Sequence, residues 1–455
     1  MTEKEMTTDV LVIGAGSAGF AAALSADQHG AKVILAEKES QVGGSTAISG
    51  GGISAPGTRF QREQGIKDSK DSWLKLWHER EDTPDHSNRY PDYDLVNYYM
   101  DEAVKTTEWL VDYCGHKYEE INGFGVDKVK RIHYAVKNGG LGGPVLIKNL
   151  SKTAKEKEIP VLTNLDAKLL IKDSSKIVGA IFDNNGQKVV IHSKVVILAT
   201  GGFAKNEKLL NQYVPQMKSA FKHCFAGAGA TGSGIMLAKN AGGQLTETPW
   251  ILGCGLALNI PHSFMLSMDW SKIYVNGDGE RFINEESHYA IIANKVAAQK
   301  DPWLLLDASP ANEKEIGIVK QGLASGETVE AESIANLAKK MKVPANKLEK
   351  TIAQYNEFAK SGIDPLGKEK QYLLPVKEKT FYAVKIYPQM MGTIGGVKIN
   401  HKFEVTDVNG KAIPGLFACG ETANGMLYNN VYMSGGSVQY SLTSGRIAGK
   451  VAAEA

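Results

Sequence analysis

Cysteine is scarce in this chain, with four in 455 residues. Cys114, Cys224, Cys254 and Cys419 are widely spaced and form no C-x-x-C pair. Neither a disulfide framework nor a structural zinc site is expected from such a pattern, and a reducing, cytoplasmic setting fits it. An excess of charge of one sign is also missing. The chain has 52 basic and 50 acidic residues, a net charge of +2. That balance gives no electrostatic reason to expect nucleic acid or an anionic membrane as partner. No apolar run reaches the roughly 18 residues a transmembrane helix needs. The start, Met1-Thr-Glu-Lys-Glu-Met, is charged and does not read as a secretory signal. There is no short-period repeat, no low-complexity tail and no haem motif C-x-x-C-H.

Glycine is in excess. The chain holds 48, where average usage of roughly 7% gives about 32. The surplus clusters at 14–57, at 139–143 with 201–242, and at 392–449. Hydrophobic residues at 43% and charged residues at 22% describe an ordinary globular chain, and the length suggests about two or three domains.

The first cluster follows a short apolar run, Asp9-Val-Leu-Val-Ile, which reads as a buried parallel strand. Gly14-Ala-Gly16-Ser-Ala-Gly19 comes next, then a helical stretch from Phe20 to His29, then a strand at Lys32 to Ala36 with Glu37 at its end. This order predicts a dinucleotide site. Gly14 permits the tight turn, Gly16 lets backbone approach a pyrophosphate, and Gly19 allows close helix–strand packing. The helix N-terminus offers N–H donors to the phosphates. Glu37 stands where a carboxylate accepts both ribose hydroxyls and repels a 2′-phosphate.

The loop Gly43-Gly44-Ser45-Thr46-Ala-Ile-Ser49-Gly50-Gly51-Gly52 is too glycine-rich to predict a helix. Its small hydroxyl residues suit a loop along a planar ring. Further segments extend the pattern: Ala199-Thr200-Gly201-Gly202-Phe203, Thr231-Gly232-Ser233-Gly234, Gly279-Glu-Arg281-Phe282-Ile-Asn284-Glu285, Met391-Gly392-Thr-Ile-Gly395-Gly396, and Pro414-Gly-Leu-Phe-Ala-Cys-Gly420-Glu421. On these residues the chain resembles the FAD-dependent flavoproteins that include soluble fumarate reductases, succinate dehydrogenase flavoprotein subunits, L-aspartate oxidases and 3-ketosteroid dehydrogenases.

The resemblance implies an α/β fold: a Rossmann-type FAD-binding domain over 1–244 and 381–455, with an inserted α+β capping domain over 245–380. Within the insert, Leu348, Ile352, Tyr355 and Phe358 at helical spacing predict a helix stopped by Ser361-Gly362. The resemblance further implies non-covalent FAD, because Ser45 occupies the position where relatives with covalent flavin carry a histidine. Beyond Gly14, Gly16, Gly19 and Glu37 it places Ser17, Ala18, Lys38, Gly43, Gly44, Ser45 and Thr46 at the cofactor. Ser49, Gly50, Gly51, Ala167, Thr200, Gly201 and Gly202 are expected there too. Gly420, Glu421, Ser437 and Val438 complete the expected set.

Above the flavin, fumarate-type members use an arginine eight residues after that of the G-x-R-F-x-N-E motif. Here that position is Tyr289. Their carboxylate-binding histidine corresponds to Gly392, and a second arginine to the neighbourhood of Tyr432, Met433 and Ser434. Arginine is the natural clamp for a carboxylate, so these replacements argue against a dicarboxylate. Site residues are closer to 3-ketosteroid dehydrogenases, where a tyrosine follows the motif and a Y-P-G-G-G segment holds a carbonyl. Tyr432-Met-Ser-Gly435-Gly436 retains its tyrosine and last glycine. An O–H and an N–H aimed at one carbonyl oxygen stabilise an enolate, and a tyrosine of ordinary pKa is protonated at pH 7 and ready to donate. Tyr113, Tyr118 and Tyr134 are candidates to support Tyr289. Met265, Met268, Met390, Met391, Met426 and Met433 suit an apolar ligand.

The leading expectation is hydride transfer between FAD and a C=C bond conjugated to a ketone on a bulky ring, with Tyr289, Tyr432 and Gly436 catalytic. Two alternatives stand beside it. One is reduction of a small unsaturated acid using a cation from elsewhere, such as Arg131, Lys205 or Arg446. The other is a flavin electron carrier without small-molecule turnover. The partners expected are a small substrate and an electron source, which is either a separate protein or a transient nicotinamide.

Overall fold

The computed structural model describes residues 4–82 and 89–455, and the side chain of Met265 lies outside the described set, as do Met1 to Glu3. The chain divides into two units. The first comprises 1–215, 225–252 and 391–455; the second comprises 216–224 and 253–390.

The first unit is built on a largely parallel sheet. Strand β1 (Lys4–Ile13) pairs in parallel with β2 (Val33–Ala36), with Val10 opposite Val33 and Ile13 opposite Ala36. On its other side β1 pairs in parallel with Gln187–Leu198, which pairs in parallel with Ala412–Ala418. Val161–Leu162 extends the far edge beside β2. Val10, Leu11, Val12 and Ile13 are all buried, as an apolar run covered on both faces requires. Helix α1 (Ser17–Gln28) lies between this sheet and the C-terminal helix Gly436–Ala453. Its end falls at Gln28, where Gly30 adopts φ +86° and donates to the Asp27 carbonyl.

The two helices approach closely because the C-terminal one presents glycine. A Cβ on Gly445 would meet the Ala18 carbonyl oxygen at 2.2 Å, and one on Gly449 would meet that of Ala22 at 2.1 Å. Ser25 Oγ donates to the Arg446 carbonyl across the same contact at 2.7 Å.

The second unit holds an antiparallel four-stranded sheet in the order Ile273–Val275, Trp303–Asp307, Phe381–Lys385, Thr328–Ala331. One core gathers Ile273, Leu305 and Ala383 with Leu348, Ile352 and Tyr355 of the helix Ala345–Ser361. That helix ends at Gly362 in the left-handed conformation, where the sequence predicts the stop. Phe358 is less buried than its three partners in the predicted stripe. Among the described residues no helix is long and apolar enough to cross a membrane.

Gly449→Ala separates two effects. Helix propensity alone favours alanine by about 0.8–1.0 kcal/mol. Forcing a methyl against the α1 backbone costs typically about 1–3 kcal/mol. A net loss of stability in urea unfolding is expected, and a stabilised variant would refute the close contact.

Candidate functional site

The dinucleotide turn forms where β1 ends. Gly14 takes φ +105°, its N–H donates to the Ala36 carbonyl at 2.7 Å, and a Cβ there would meet the Ala199 oxygen at 2.4 Å. A Cβ on Gly19 would meet the Gly14 oxygen at 1.7 Å, which fixes its role as helix–turn packing. Gly16 differs: a Cβ there comes no closer than 3.9 Å to any protein atom. It lines a cavity of about 420 Å³ together with Gly14, Ser17 and Ala18. Gly16 is also the N-cap of α1, and no side chain caps that helix. The positive helix end is thus left for a phosphate.

Glu37 is buried at the cavity wall. Its Oε2 accepts the Ala15 N–H at 2.7 Å and its Oε1 that of Glu39 at 2.9 Å. Each carboxylate oxygen has two acceptor sites, so both keep one for a ribose hydroxyl. Lys38 lines the same wall and donates to Thr231 Oγ1 at 2.8 Å.

The Gly43–Gly52 loop departs from its expected form. A 3₁₀ turn runs over Gly44–Ile48, entered through Gly43 at φ +116° and closed by Ser49 Oγ donating to the Thr46 carbonyl. The left-handed entry and this hydroxyl bond organise a segment that composition alone marks as irregular. Gly44, Ser45 and Thr46 line the cavity, as do Ala167, Thr200 and Gly201. Gly43 instead donates to the Ala15 carbonyl. Ser49, Gly50 and Gly51 pack on Gly142 and Gly143 of the helix Gly142–Glu156.

Three expected contributors from the return segment are also absent from the lining. Gly420, at φ +63°, donates to Ser444 Oγ and abuts Ala18. Ser437 and Val438 lie in the first turn of the C-terminal helix, where Ser441, one turn on, reaches the cavity instead. Sequence reading missed Ala226 to Ala230, which also lines it. Gly227 N–H donates to Ser45 Oγ at 2.9 Å, and a Cβ there would meet the Gly44 backbone at 2.8 Å. The glycines at 227 and 229 were the available signal.

Glu421 also lines the cavity. Its Oε1 accepts from Thr393 N–H at 2.6 Å and from Thr393 Oγ1 at 3.0 Å. Burial pushes its carboxyl up to about 7 against the pull of these bonds. A Cβ on Gly202 would meet Glu421 Oε1 at 2.2 Å, so this glycine gives the carboxylate its room. Gly392 has the same relation. A Cβ there would meet Glu421 Oε1 at 2.8 Å, Oε2 at 2.9 Å and Leu252 Cδ1 at 2.8 Å. A side chain at the position aligned with a carboxylate-binding histidine would have to displace Glu421 and Leu252.

Tyr432 is buried, and its hydroxyl donates to Met391 Sδ at 3.7 Å. Gly436 N–H donates to the Met433 carbonyl at 2.8 Å, closing the turn that starts the C-terminal helix. This amide reaches a carbonyl oxygen of a ligand only by sharing its proton. In the second unit, Tyr289 opens the helix Tyr289–Ala297, capped by His288, whose Nδ1 accepts the Ala290 N–H at 3.3 Å. The two rings lie 4.0 Å apart.

Arg281 does not reach toward a ligand. It forks onto Glu285 at 2.6 and 2.9 Å and onto Asp364 at 2.7 and 2.9 Å, and Lys368 joins at Glu285. The motif that contains it is an internal brace of the second unit. Arg131 is held by Asp68 through Nε and Nη2, and Arg446 by Glu102 and Thr106. Lys205 is exposed. Tyr118 donates to the Thr107 carbonyl at 3.1 Å, and Tyr113 stacks on Trp109.

The chain matches the FAD binding domain family over residues 9–438. It is similar to a probable fumarate reductase, Ifc3, of Shewanella frigidimarina (strain NCIMB 400), at 32% identity over 98% of this chain and 75% of that protein. It is similar to a vinyl phenol reductase of Lactiplantibacillus plantarum at 30% identity over 99% of this chain and 97% of that protein. Among solved structures it is similar to 3-ketosteroid-Δ4-(5α)-dehydrogenase from Rhodococcus jostii RHA1 in complex with 4-androstene-3,17-dione. That match has a TM-score of 0.79 and 26% identity over 100% of this chain and 98% of the other.

Two tests follow from this geometry. Glu37→Ala removes the acceptor for two backbone amides and for the ribose; a hydrogen bond to a charged group contributes about 1.5–3 kcal/mol. FAD affinity of the reconstituted protein is expected to fall at least about tenfold, measured by flavin fluorescence titration. For Glu421, a folded-state pKa of about 7 lies above the unfolded value near 4.3. Its stabilising share is complete below the unfolded value and is lost as pH rises through about 7. Glu421→Gln should match the parent in thermal melts of FAD-free protein at about pH 4 and exceed it at about pH 8.5. Parallel curves would contradict the shift.

Proposed function

The chain belongs to the FAD binding domain family, as an FAD-dependent oxidoreductase acting on C=C bonds, and we propose that its own substrate is a C=C bond conjugated to a ketone on a bulky apolar ring. The observation that carries this reading is Gly392. The carboxylate-binding histidine of fumarate-type relatives is absent, and Leu252 and both oxygens of Glu421 fill the space beside this glycine. The two arginines of fumarate-type relatives are likewise replaced by Tyr289 and the Tyr432 segment. Arg131 and Arg446 are engaged in ion pairs of their own. The likeness to a vinyl phenol reductase and to a ketosteroid dehydrogenase supports a ring-bearing substrate.

FAD, when bound, supplies the hydride acceptor or donor at N5. The chain's residues supply the rest. In this reading the Tyr432 hydroxyl leaves the weak Met391 Sδ acceptor and donates to the substrate carbonyl, a stronger acceptor. The Gly436 amide shares its proton between Met433 and that oxygen, at the positive end of the C-terminal helix. Charge developing on the oxygen as hydride arrives at the β-carbon is stabilised there. Tyr289 delivers the proton to the α-carbon. Its hydroxyl is the acid in the reductive direction, and His288 fixes the start of its helix. Met391 and Met433 supply soft apolar surface near the carbonyl.

The reading is tested with purified holoenzyme, reduced methyl viologen and a panel of 2-cyclohexen-1-one, 4-androstene-3,17-dione, a vinyl phenol, fumarate and urocanate. Turnover of an enone is expected. Tyr289→Phe should lower kcat by about 10²–10⁴, and Tyr432→Phe by about 10²–10³. Reoxidation by fumarate or urocanate with no enone turnover would overturn the proposal in favour of a small unsaturated acid.

A further inference from the structure

Tyr432 sits in a segment that has no regular secondary structure and is nevertheless largely buried. Buried irregular backbone needs partners for its N–H and C=O groups from outside the segment. Two of them come from one helix far away in sequence, Lys70–Glu81. Trp77, Arg80 and Glu81, spaced i, i+3 and i+4, share one face of that helix.

Each of the three touches the segment. Trp77 Nε1 donates to the Leu427 carbonyl at 3.2 Å, and its ring stacks on Tyr428 at 5.3 Å with planes 10° apart. Arg80, paired with Asp127, brings Nη1 to 3.8 Å from Met433 Sδ. Glu81 Oε2 accepts the Asn429 N–H at 2.9 Å. The Glu81 side chain is fully buried, and Asn429 Nδ2 donates to the Glu81 backbone carbonyl at 3.5 Å, three residues before Tyr432.

We propose that Glu81 is the positioning residue for Tyr432: its buried carboxyl holds the Asn429 amide and, with Trp77 on Leu427 and Tyr428, fixes where the Tyr432 hydroxyl lies. The inference rests on the reading of Tyr432 as the carbonyl-holding group. Glu81 touches neither substrate nor flavin in this scheme and acts through Tyr432 alone. A segment held at the Leu427 carbonyl and the Asn429 amide cannot shift without losing these bonds. Displacement of a catalytic group by about 1 Å costs on the order of 10²-fold in rate.

The test uses holoenzyme of the parent, Glu81→Ala, Glu81→Gln, Tyr432→Phe and the Glu81→Ala/Tyr432→Phe double variant. Amide hydrogen exchange is read at 427–433, with β1 as internal reference. Turnover of 2-cyclohexen-1-one is read for kcat and KM. Glu81→Ala should raise exchange at 427–433 by at least about tenfold while β1 is unchanged. Its kcat should fall about 10–100-fold, with KM moving less than about threefold. Glu81→Gln keeps an acceptor oxygen and should recover most of both, and it carries the test if the alanine variant does not fold. The double variant should be no slower than Tyr432→Phe alone.

Unchanged protection of 429–431 in both Glu81 variants overturns the proposal, and so do kcat losses that multiply in the double variant. If Tyr432→Phe keeps full kcat, the reading of Tyr432 fails. A loss of protection in Glu81→Ala then still supports the hold of Glu81 on the segment. If no enone turns over, exchange alone decides.

Discussion

Backbone-to-backbone contact is the constraint on which the first unit depends. Helix α1 must lie against β1, the glycine turn and the C-terminal helix at once. Gly19 removes a side chain where the helix meets the turn, and Gly445 and Gly449 remove side chains where it meets the C-terminal helix. Only then does its uncapped N-terminus reach the wall of a cavity that also holds Glu37 and Glu421. The glycine surplus thus has two uses. Some glycines, such as Gly16, leave space for a ligand. More of them, such as Gly19 and Gly449, let protein approach protein.

That distinction marks how much was legible in the sequence. The strand–turn–helix–strand–acid order was readable because each step has a local cause: an apolar run, a positive φ, a helix N-terminus, a carboxylate at a strand end. The second-unit helix ending at Gly362 was readable for the same reason. Contacts brought together by the fold were not. Gly43, Ser49 and Gly51 sit in a cofactor-like motif yet pack on other backbone, and nothing local separates them from Gly44 and Ser45. The lining segment 226–230 joins the cavity through a bond to Ser45, 182 residues distant.

The same limit applies to charge. Arg281 stands in a motif that invites a role at a ligand. In the second unit it is consumed by Glu285 and Asp364, with Lys368 completing a buried network. Removing one member would strand an uncompensated charge, so this motif serves the fold of the second unit. Gly392 is the reverse case. A missing side chain reads in sequence as lost function, and the structure shows what fills its place: Glu421 and Leu252.

The bond between Ser45 and Gly227 carries one more consequence. The segment it pins forms part of the wall of the cavity, with the Gly44 backbone pressed against it. One hydroxyl at position 45 therefore ties together two wall segments that are 182 residues apart in sequence, so a change there would alter the shape of the cavity.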